Sequence, residues 1–273
     1  MSAALNQFCA WDPRYWQILT LGALLTYGLG VLGFDQPIDC VAATIAAGLA
    51  TQIAFTWWLG LSRFDPLSPL ITSLSLCILL RASGPQWMAL AAVVAMASKF
   101  LIRVDGKHVF NPSNLAIAAM LIASGEAWIS PAQWGSQAWG GFLFACLAGL
   151  VLSRARRADI ALAFLGAFAS LVFLRATYLG DPWAIPVKQL QSGALLLFAF
   201  FMISDPKATP DRRSTRIVFA VTVAVLAFTL QFGFYKPDGL MYALVLASPL
   251  VPLLDRWHPV VPAERFQWSR PTV

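Results

Sequence analysis

Long apolar runs alternate with short polar stretches along the whole chain. A membrane-spanning helix needs about 20 mostly apolar residues, and the third and fifth of the runs found here are short or interrupted. The predicted spans are 14–33, 38–61, 67–82, 86–103, 112–124, 136–153, 158–178, 187–203, 215–233 and 239–254. The pattern therefore predicts an all-α polytopic membrane protein with about ten transmembrane helices.

The third and fifth predicted spans begin with polar residues. The third opens as DPLSPLITSLSL from Asp65, and the fifth opens as NPSN from Asn111. Asn or Ser at a helix cap and Pro in the first turn are ordinary start signals, so Asn111, Ser113 and Asn114 can be caps alone. Non-helical backbone inside a membrane is tolerated where it lines a cavity, so these residues can instead line a ligand site.

Composition supports a membrane protein and gives an orientation. Hydrophobic residues make up 59% of the 273 residues, charged residues make up 12%, and the mean hydropathy is +0.69, whereas soluble proteins are about 25% charged. Fifteen of the 19 Lys and Arg residues fall on the side that holds both termini. Positive loops stay in the cytoplasm, so we expect a bacterial inner-membrane protein with both termini cytoplasmic.

The same composition excludes several kinds of site. The net charge of +6 comes from short loops without a basic, aromatic-rich stripe, so the expected partner is the lipid bilayer and not nucleic acid. The four cysteines are far apart and the two histidines lie at segment edges, so no metal site is expected. No cleavable signal peptide and no hydrolase or kinase motif is found. Any redox chemistry would be supplied by a cofactor.

Two pairs of segments are similar at a spacing of five predicted spans. FNPSNLAIA (110–118) aligns with YKPDGLMYA (235–243), and PLSPLITSLSLCILL aligns with VKQLQSGALLLFAFF. An odd number of spans per repeat gives the two halves opposite orientations, as in many transporters. We predict an N-terminal tail (1–13), two inverted five-helix repeats (14–124 and 136–254) and a C-terminal tail (255–273).

The C-terminal half resembles a known family. LLFAFFMISDPKATP (196–210) and FGFYKPDGLMYALVLASPLVPLLDRW (232–257) are similar to RnfD and NqrB, membrane subunits of the Rnf and sodium-pumping NADH:quinone oxidoreductase complexes. The FNPSN start of the fifth span resembles the NP-x-N segment of that family. The resemblance implies a ten-helix inverted-repeat fold, distantly like urea transporters, with a flavin between the helices and electron transfer to partner proteins or other membrane subunits.

One departure from the family changes the expected cofactor. RnfD and NqrB carry FMN covalently on a threonine of an SGAT-like motif, and neither SGEAWISPAQWG (124–135) nor QSGALLL (191–197) supplies one. The chain looks like the short, stand-alone RnfD-like form. We therefore expect a noncovalent riboflavin or FMN.

The polar positions that the resemblance brings together have two interpretations each. Lys107, with Arg103, either anchors the chain or meets a flavin phosphate. Phe110 and Tyr235 would stack on the ring, while Ser204 and Asp205 either form a turn or line the site, and Asp238 either caps a helix or binds a ligand. The candidate cofactor-binding residues are Lys107, Phe110, Asn111, Ser113, Asn114, Ser204, Asp205, Tyr235 and Asp238.

Two functions follow from this sequence. The first is electron transfer across or within the membrane by a noncovalent flavin in a central crevice between spans 3, 5, 8 and 10. The second is a permease or channel for a small polar solute on the same inverted-repeat scaffold.

Overall fold

The computed structural model describes residues 12–129 and 158–260. In the first part, the helices are α1 (Pro13–Gly30), α2 (Ile38–Trp58), α3 (Leu67–Leu79), α4 (Pro85–Leu101) and α5 (Pro112–Ala123). In the second part, they are α6 (Ala158–Leu179), α7 (Ala184–Leu190), α8 (Gly193–Leu197), α9 (Arg213–Phe228), α10 (Gly239–Ala247) and α11 (Leu250–Trp257). Two π-helical turns, Phe198–Met202 and Thr229–Gly233, extend α8 and α9.

Each predicted span that lies within the described residues is largely helical, and the predicted span 136–153 lies outside them. Among the described residues, three helices are long and apolar enough to cross a membrane: α2, α6 and α9 with its π-helical turn. Two bent pairs, α7 with α8 and α10 with α11, pass the same test when each pair is taken as one span. These features are those of a membrane protein. The ten-helix inverted repeat stays a prediction.

Three predicted spans were wrong in detail. The span 187–203 is broken between α7 and α8, which meet at 48°, because Ser192 has an extended backbone. The span 239–254 is broken between α10 and α11 at 41°, where Pro249 has no N–H to continue the helical hydrogen bonds. The span 67–82 ends as a helix at Leu79, and its last residues form a strand.

Short strands join the ends of neighbouring helices, which the apolar pattern did not predict. Strand β1 (Leu80–Ala82) pairs antiparallel with β4 (Ala127–Ile129), so the ends of α3 and α5 are tied together. Strands β2 (Arg103–Val104) and β3 (Lys107–His108) form a hairpin between α4 and α5. Its two-residue turn is Asp105-Gly106, with positive φ at both positions, as a type I′ turn requires.

The core is formed by the apolar faces of α1, α3, α4 and α5 in the first part and of α6, α8, α9 and α10 in the second part. Small residues such as Ala91, Ala92 and Ala95 of α4 are fully buried, which lets neighbouring helices approach closely. The starts of α5 and α10 meet directly, because the Asn114 amide nitrogen (Nδ2) donates to the Met241 carbonyl at 3.1 Å. This contact holds polar helix starts in the interior of the protein.

Candidate functional site

One cavity beside several predicted site residues is bounded by the β2–β3 hairpin, the turn after α8 and α11. We call it the hairpin cavity; it measures about 490 Å³. Charged side chains on its wall come from all three elements, which are far apart in the sequence. They are Asp105, Lys107, Lys207, Asp211, Asp255 and Arg256.

Lys107 holds the three walls of this cavity together. Its ammonium nitrogen (Nζ) donates to the Thr209 carbonyl at 2.8 Å, to Asp211 Oδ1 at 3.1 Å and to Asp255 Oδ2 at 2.8 Å. The Asp211 N–H also donates to Asp255 Oδ1 at 2.8 Å. An ammonium group has three donors, and all three are used here. The arrangement gives Lys107 the role of an anchor for the cavity wall.

The same charge network continues to the start of α9. Arg216 donates to the Asp211 carbonyl and contacts Asp159 Oδ2 through Nε at 2.9 Å and Nη2 at 2.6 Å. Both side chains of the Arg216–Asp159 pair are largely buried. Asp211 therefore connects the hairpin, α9 and α11 through its side chain, its carbonyl and its N–H.

A second, smaller cavity lies where α3 and α5 begin. This α3/α5 pocket measures about 110 Å³. It shares His108, Pro206 and Lys207 with the hairpin cavity, so the two spaces adjoin. Among the predicted site residues, it is lined by Asn111, Ser113, Ser204 and Asp205.

Asp205 connects the turn after α8 to the start of α5. Its Oδ2 lies 3.3 Å from His108 Nε2 and accepts a hydrogen bond from Asn111 Nδ2 at 3.3 Å, while its Oδ1 accepts from the Lys207 N–H at 3.0 Å. Burial by itself would raise the pKa of this carboxyl, but interactions with His108, the Lys207 N–H and the Lys207 charge together lower the pKa below its usual value. Asp205 is thus an ionised acceptor at neutral pH.

Asn111 both caps α5 and faces the pocket. Its Oδ1 accepts from the Asn114 N–H at 3.0 Å, which satisfies one of the free donors at the helix start. Asn114 itself is almost fully buried, and within the described part of the chain its Oδ1 has no hydrogen-bond partner. Asn111 therefore fits both interpretations of the NPSN segment, because it caps α5 and also lines the α3/α5 pocket.

We expect Asn111→Ala to lower the free energy of unfolding by about 1 kcal/mol, the usual cost of a lost N-cap. Thermal unfolding of the purified protein in mild detergent measures this change. Ser170→Ala is a matched control, because the exposed Ser170 hydroxyl donates to the Gly166 carbonyl within α6, away from a helix start. An Asn111→Ala protein as stable as the parent would show that the cap contributes nothing to α5.

Tyr235 and Asp238 lie apart from the other predicted site residues. Asp238 lines a third cavity of about 110 Å³ where α8 and α10 begin, which we call the α8/α10 pocket. Burial raises the pKa of its carboxyl, and it occupies the N-cap position of α10 without a side-chain capping bond. Tyr235 is 82% exposed, and Phe110 lines none of these three cavities.

Sequence reasoning missed several residues of the α3/α5 pocket. Lys99 reaches it from the end of α4, and Arg14 and Asp65 line it as an ion pair. His108 and Lys207 lie between this pocket and the hairpin cavity and line both. Lys207 stands within the SDPKATP motif that carries the family resemblance, so that motif was the available signal. Lys99 gave no signal of its own, because a lysine at a helix end is ordinarily an anchor at the membrane surface.

The sizes of the three cavities decide where a flavin fits. Sites for ligands of this size measure roughly 300–1,000 Å³. The α3/α5 and α8/α10 pockets, at about 110 Å³ each, are too small for a tricyclic ring, whereas the hairpin cavity at about 490 Å³ is large enough. Of these three cavities, the hairpin cavity is the one that reaches the size range for a flavin.

Comparison with known proteins gives one family. A model of the NQR2, RnfD, RnfE family matches residues 129–262. The relatives include a protein of Escherichia coli O81 (strain ED1a) that is named as a subunit of an ion-translocating oxidoreductase complex. It is 35% identical over 138 residues, which cover 49% of this chain and 36% of the relative. The corresponding protein of Citrobacter koseri is 32% identical over 139 residues, covering 50% of this chain and 37% of the relative. The matched region thus spans little more than a third of these relatives.

Proposed function

We propose that this chain is a flavin-binding electron-transfer subunit of a bacterial inner membrane. The proposal rests on the match of residues 129–262 to the NQR2, RnfD, RnfE family. The relatives are named as subunits of an ion-translocating oxidoreductase complex. We extend this to the present chain as association with other membrane subunits or redox partner proteins. The flavin is a noncovalent riboflavin or FMN.

The observation that carries this proposal is the hairpin cavity, which has the size for a flavin ring and adjoins the polar α3/α5 pocket. A bound flavin would supply the one-electron chemistry. Lys107 keeps the cavity wall in place through its three bonds. The charged side chains of its wall are three acids and three bases, so the wall offers both hydrogen-bond acceptors and donors to the mixed polar edge of a flavin.

We expect protein purified in mild detergent, with riboflavin and FMN supplied, to show the visible absorbance of a flavin. Acid precipitation should release the colour into the supernatant, and the intact mass should equal the bare polypeptide of 29.7 kDa. A colourless protein after supplementation would contradict flavin binding. A mass increased by one flavin mononucleotide would contradict noncovalent attachment.

The location of the flavin has its own test. Val104 lines the hairpin cavity from β2, and Val104→Trp should fill part of that space and remove most of the bound flavin. Val31→Trp is the matched control, because Val31 is exposed at the end of α1. Full flavin content in a folded Val104→Trp protein would place the cofactor elsewhere.

A permease for a small polar solute is the second candidate. It is favoured by the position of the Asn114–Met241 contact between two pockets. Asn111 and Ser113, which precede Asn114, line the α3/α5 pocket, and Met241 lines the α8/α10 pocket. Both pockets have the size of a small solute, and the Asn114 Oδ1, which no described residue contacts by a hydrogen bond, can accept one. Saturable urea uptake into proteoliposomes without a redox partner would favour this function, and uptake equal to that of protein-free vesicles would exclude it for urea.

A further inference from the structure

We propose that the α3/α5 pocket is a binding site for a phosphate-sized oxyanion, held by the ammonium groups of Lys99 and Lys207. This site goes beyond the proposed electron-transfer function and does not depend on it. It rests on four features of the described residues around the pocket: a lysine bonded only to neutral groups, a lysine ammonium without a bonded partner, carboxylates that are already paired, and a matching volume.

Lys99 enters the pocket from the last turn of α4. Its Nζ donates to Ser68 Oγ at 2.7 Å and to Gln52 Oε1 at 3.3 Å, and both acceptors are neutral. No carboxylate of the described residues pairs with it. A hydroxyl group has one donor of its own, so Ser68 can still donate to a ligand beside Lys99.

Lys207 enters the pocket from the opposite side, in the turn after α8. Its backbone N–H donates to Asp205 Oδ1, but within the described ranges its Nζ takes part in no hydrogen bond or ion pair. The two ammonium groups therefore face one cavity, and no carboxylate of the residues that the structure describes is bonded to either. A bound anion would relieve the repulsion between them and would accept charge-assisted hydrogen bonds.

The carboxylates of the pocket are held by other groups. Asp65 pairs with Arg14 at 2.5 Å and accepts from the Leu67 N–H at 3.1 Å. Asp205 is held by His108 and Asn111. These contacts hold the two carboxylates away from direct ion pairs with Lys99 and Lys207, although both carboxylates still act on the lysines by charge.

The volume of the α3/α5 pocket limits the size of a ligand that can bind in it. A volume of about 110 Å³ has room for several water molecules, and a tetrahedral oxyanion is of comparable size. Such an anion can be a free one, or it can be the phosphate monoester of a larger molecule whose body lies in the adjoining hairpin cavity. The shared chemistry is a tetrahedral phosphate, and competition separates the two sources.

Equilibrium dialysis of the purified, flavin-free full chain against radiolabelled inorganic phosphate tests the site. We expect saturable binding in the parent protein and an affinity at least about tenfold weaker in Lys207→Gln, since a charged hydrogen-bond donor is lost. Lys236→Gln is the matched control, because Lys236 is exposed and lines none of the three cavities. Lys99→Gln should weaken binding in the same way.

Two results would overturn the proposal: absence of saturable phosphate binding in the parent protein, or unchanged affinity in the folded Lys207→Gln protein. The test does not require Lys99→Gln to fold, because Lys207 is exposed on the turn and its replacement leaves the helices intact. Displacement of phosphate by FMN and not by riboflavin would assign the site to a monoester. Retention of phosphate in the presence of both flavins would assign it to a free oxyanion.

Discussion

Arg216→Gln is expected to lower the free energy of unfolding by about 3–5 kcal/mol, the cost of removing one partner of a buried ion pair. The Arg216 guanidinium makes two bonds to Asp159 Oδ2 and a third to the Asp211 carbonyl. Glutamine has no charge and cannot make all three. The Asp159 carboxylate would then be left at the α6–α9 interface without its main cation.

Arg213→Gln is the control for this prediction, because Arg213 lies one helical turn before Arg216 and approaches the same carboxylate. Its side chain is 78% exposed and its Nε is 3.9 Å from Asp159 Oδ2. Exposed ion pairs contribute about 0–1 kcal/mol, so this variant should unfold almost like the parent protein. Unfolding titrations in mixed micelles of SDS and a mild detergent measure both changes, and equal stabilities of the two variants would contradict a structural role for the Arg216–Asp159 pair.

The helices could be predicted from the sequence because a membrane imposes a simple length requirement on apolar runs. The predicted starts of α2, α3, α5 and α6 agree with the structure, since each is marked by a proline or by a change from polar to apolar residues. The breaks at Ser192 and Pro249 were missed. An apolar run continues through Pro249, and composition does not reveal the bend there. Ser192 follows the polar residues Lys188, Gln189 and Gln191, which the predicted span included as its start.

The candidate site was only partly accessible to sequence reasoning. Asn111, Ser113, Ser204 and Asp205 were expected together, and the structure brings them to one pocket, because helix starts that need polar caps also form its wall. Tyr235 was expected beside them because the YKPDG segment aligns with FNPSN in the predicted repeat and resembles the start of the tenth span in the family. It is instead exposed beside the start of α10, and no local pattern distinguishes a stacking tyrosine from one at a surface.

Charged residues were the least predictable part, since one lysine can anchor a helix, pair with an acid or face a ligand. Of the basic residues near predicted span ends, Lys107 was selected as a candidate ligand contact, whereas Lys99 and Lys207 were not. The structure gives Lys107 two carboxylate partners, whereas Lys99 and Lys207 face a cavity. These differences depend on contacts across about a hundred residues of sequence, such as that between Lys107 and Asp211.

Lys107→Met is expected to lower the free energy of unfolding by about 2–3 kcal/mol and to reduce flavin retention in the hairpin cavity. The lysine side chain is 24% exposed and the carboxylates of Asp211 and Asp255 are 9% and 20% exposed, so the cost should fall below that of a fully buried pair. Methionine keeps the length of the side chain and removes the charge. The two neighbouring carboxylates would then repel each other, and the hairpin would lose the bonds that Lys107 makes to the turn and to α11.

Lys188→Met is the control, because Lys188 is an exposed residue of α7 away from this network. Thermal unfolding and flavin content of the same preparations measure the two effects. Stability close to that of the parent protein, with flavin lost, would instead make Lys107 a direct ligand contact. Unchanged stability and unchanged flavin content would contradict the role of Lys107 in the cavity wall.

A double variant separates the lost attraction from the repulsion that remains. Asp255→Asn removes one of the two carboxylates, while its side-chain oxygen can still accept from the Asp211 N–H. Lys107→Met combined with Asp255→Asn should therefore be less destabilised than the sum of the single changes, by roughly 0.5–3 kcal/mol, the usual range for residues in one network. If the losses in free energy of unfolding of the two single variants simply add in the double variant, Lys107 and Asp255 act independently. The Lys107 contribution to the cavity wall would then come from its bonds to Thr209 and Asp211.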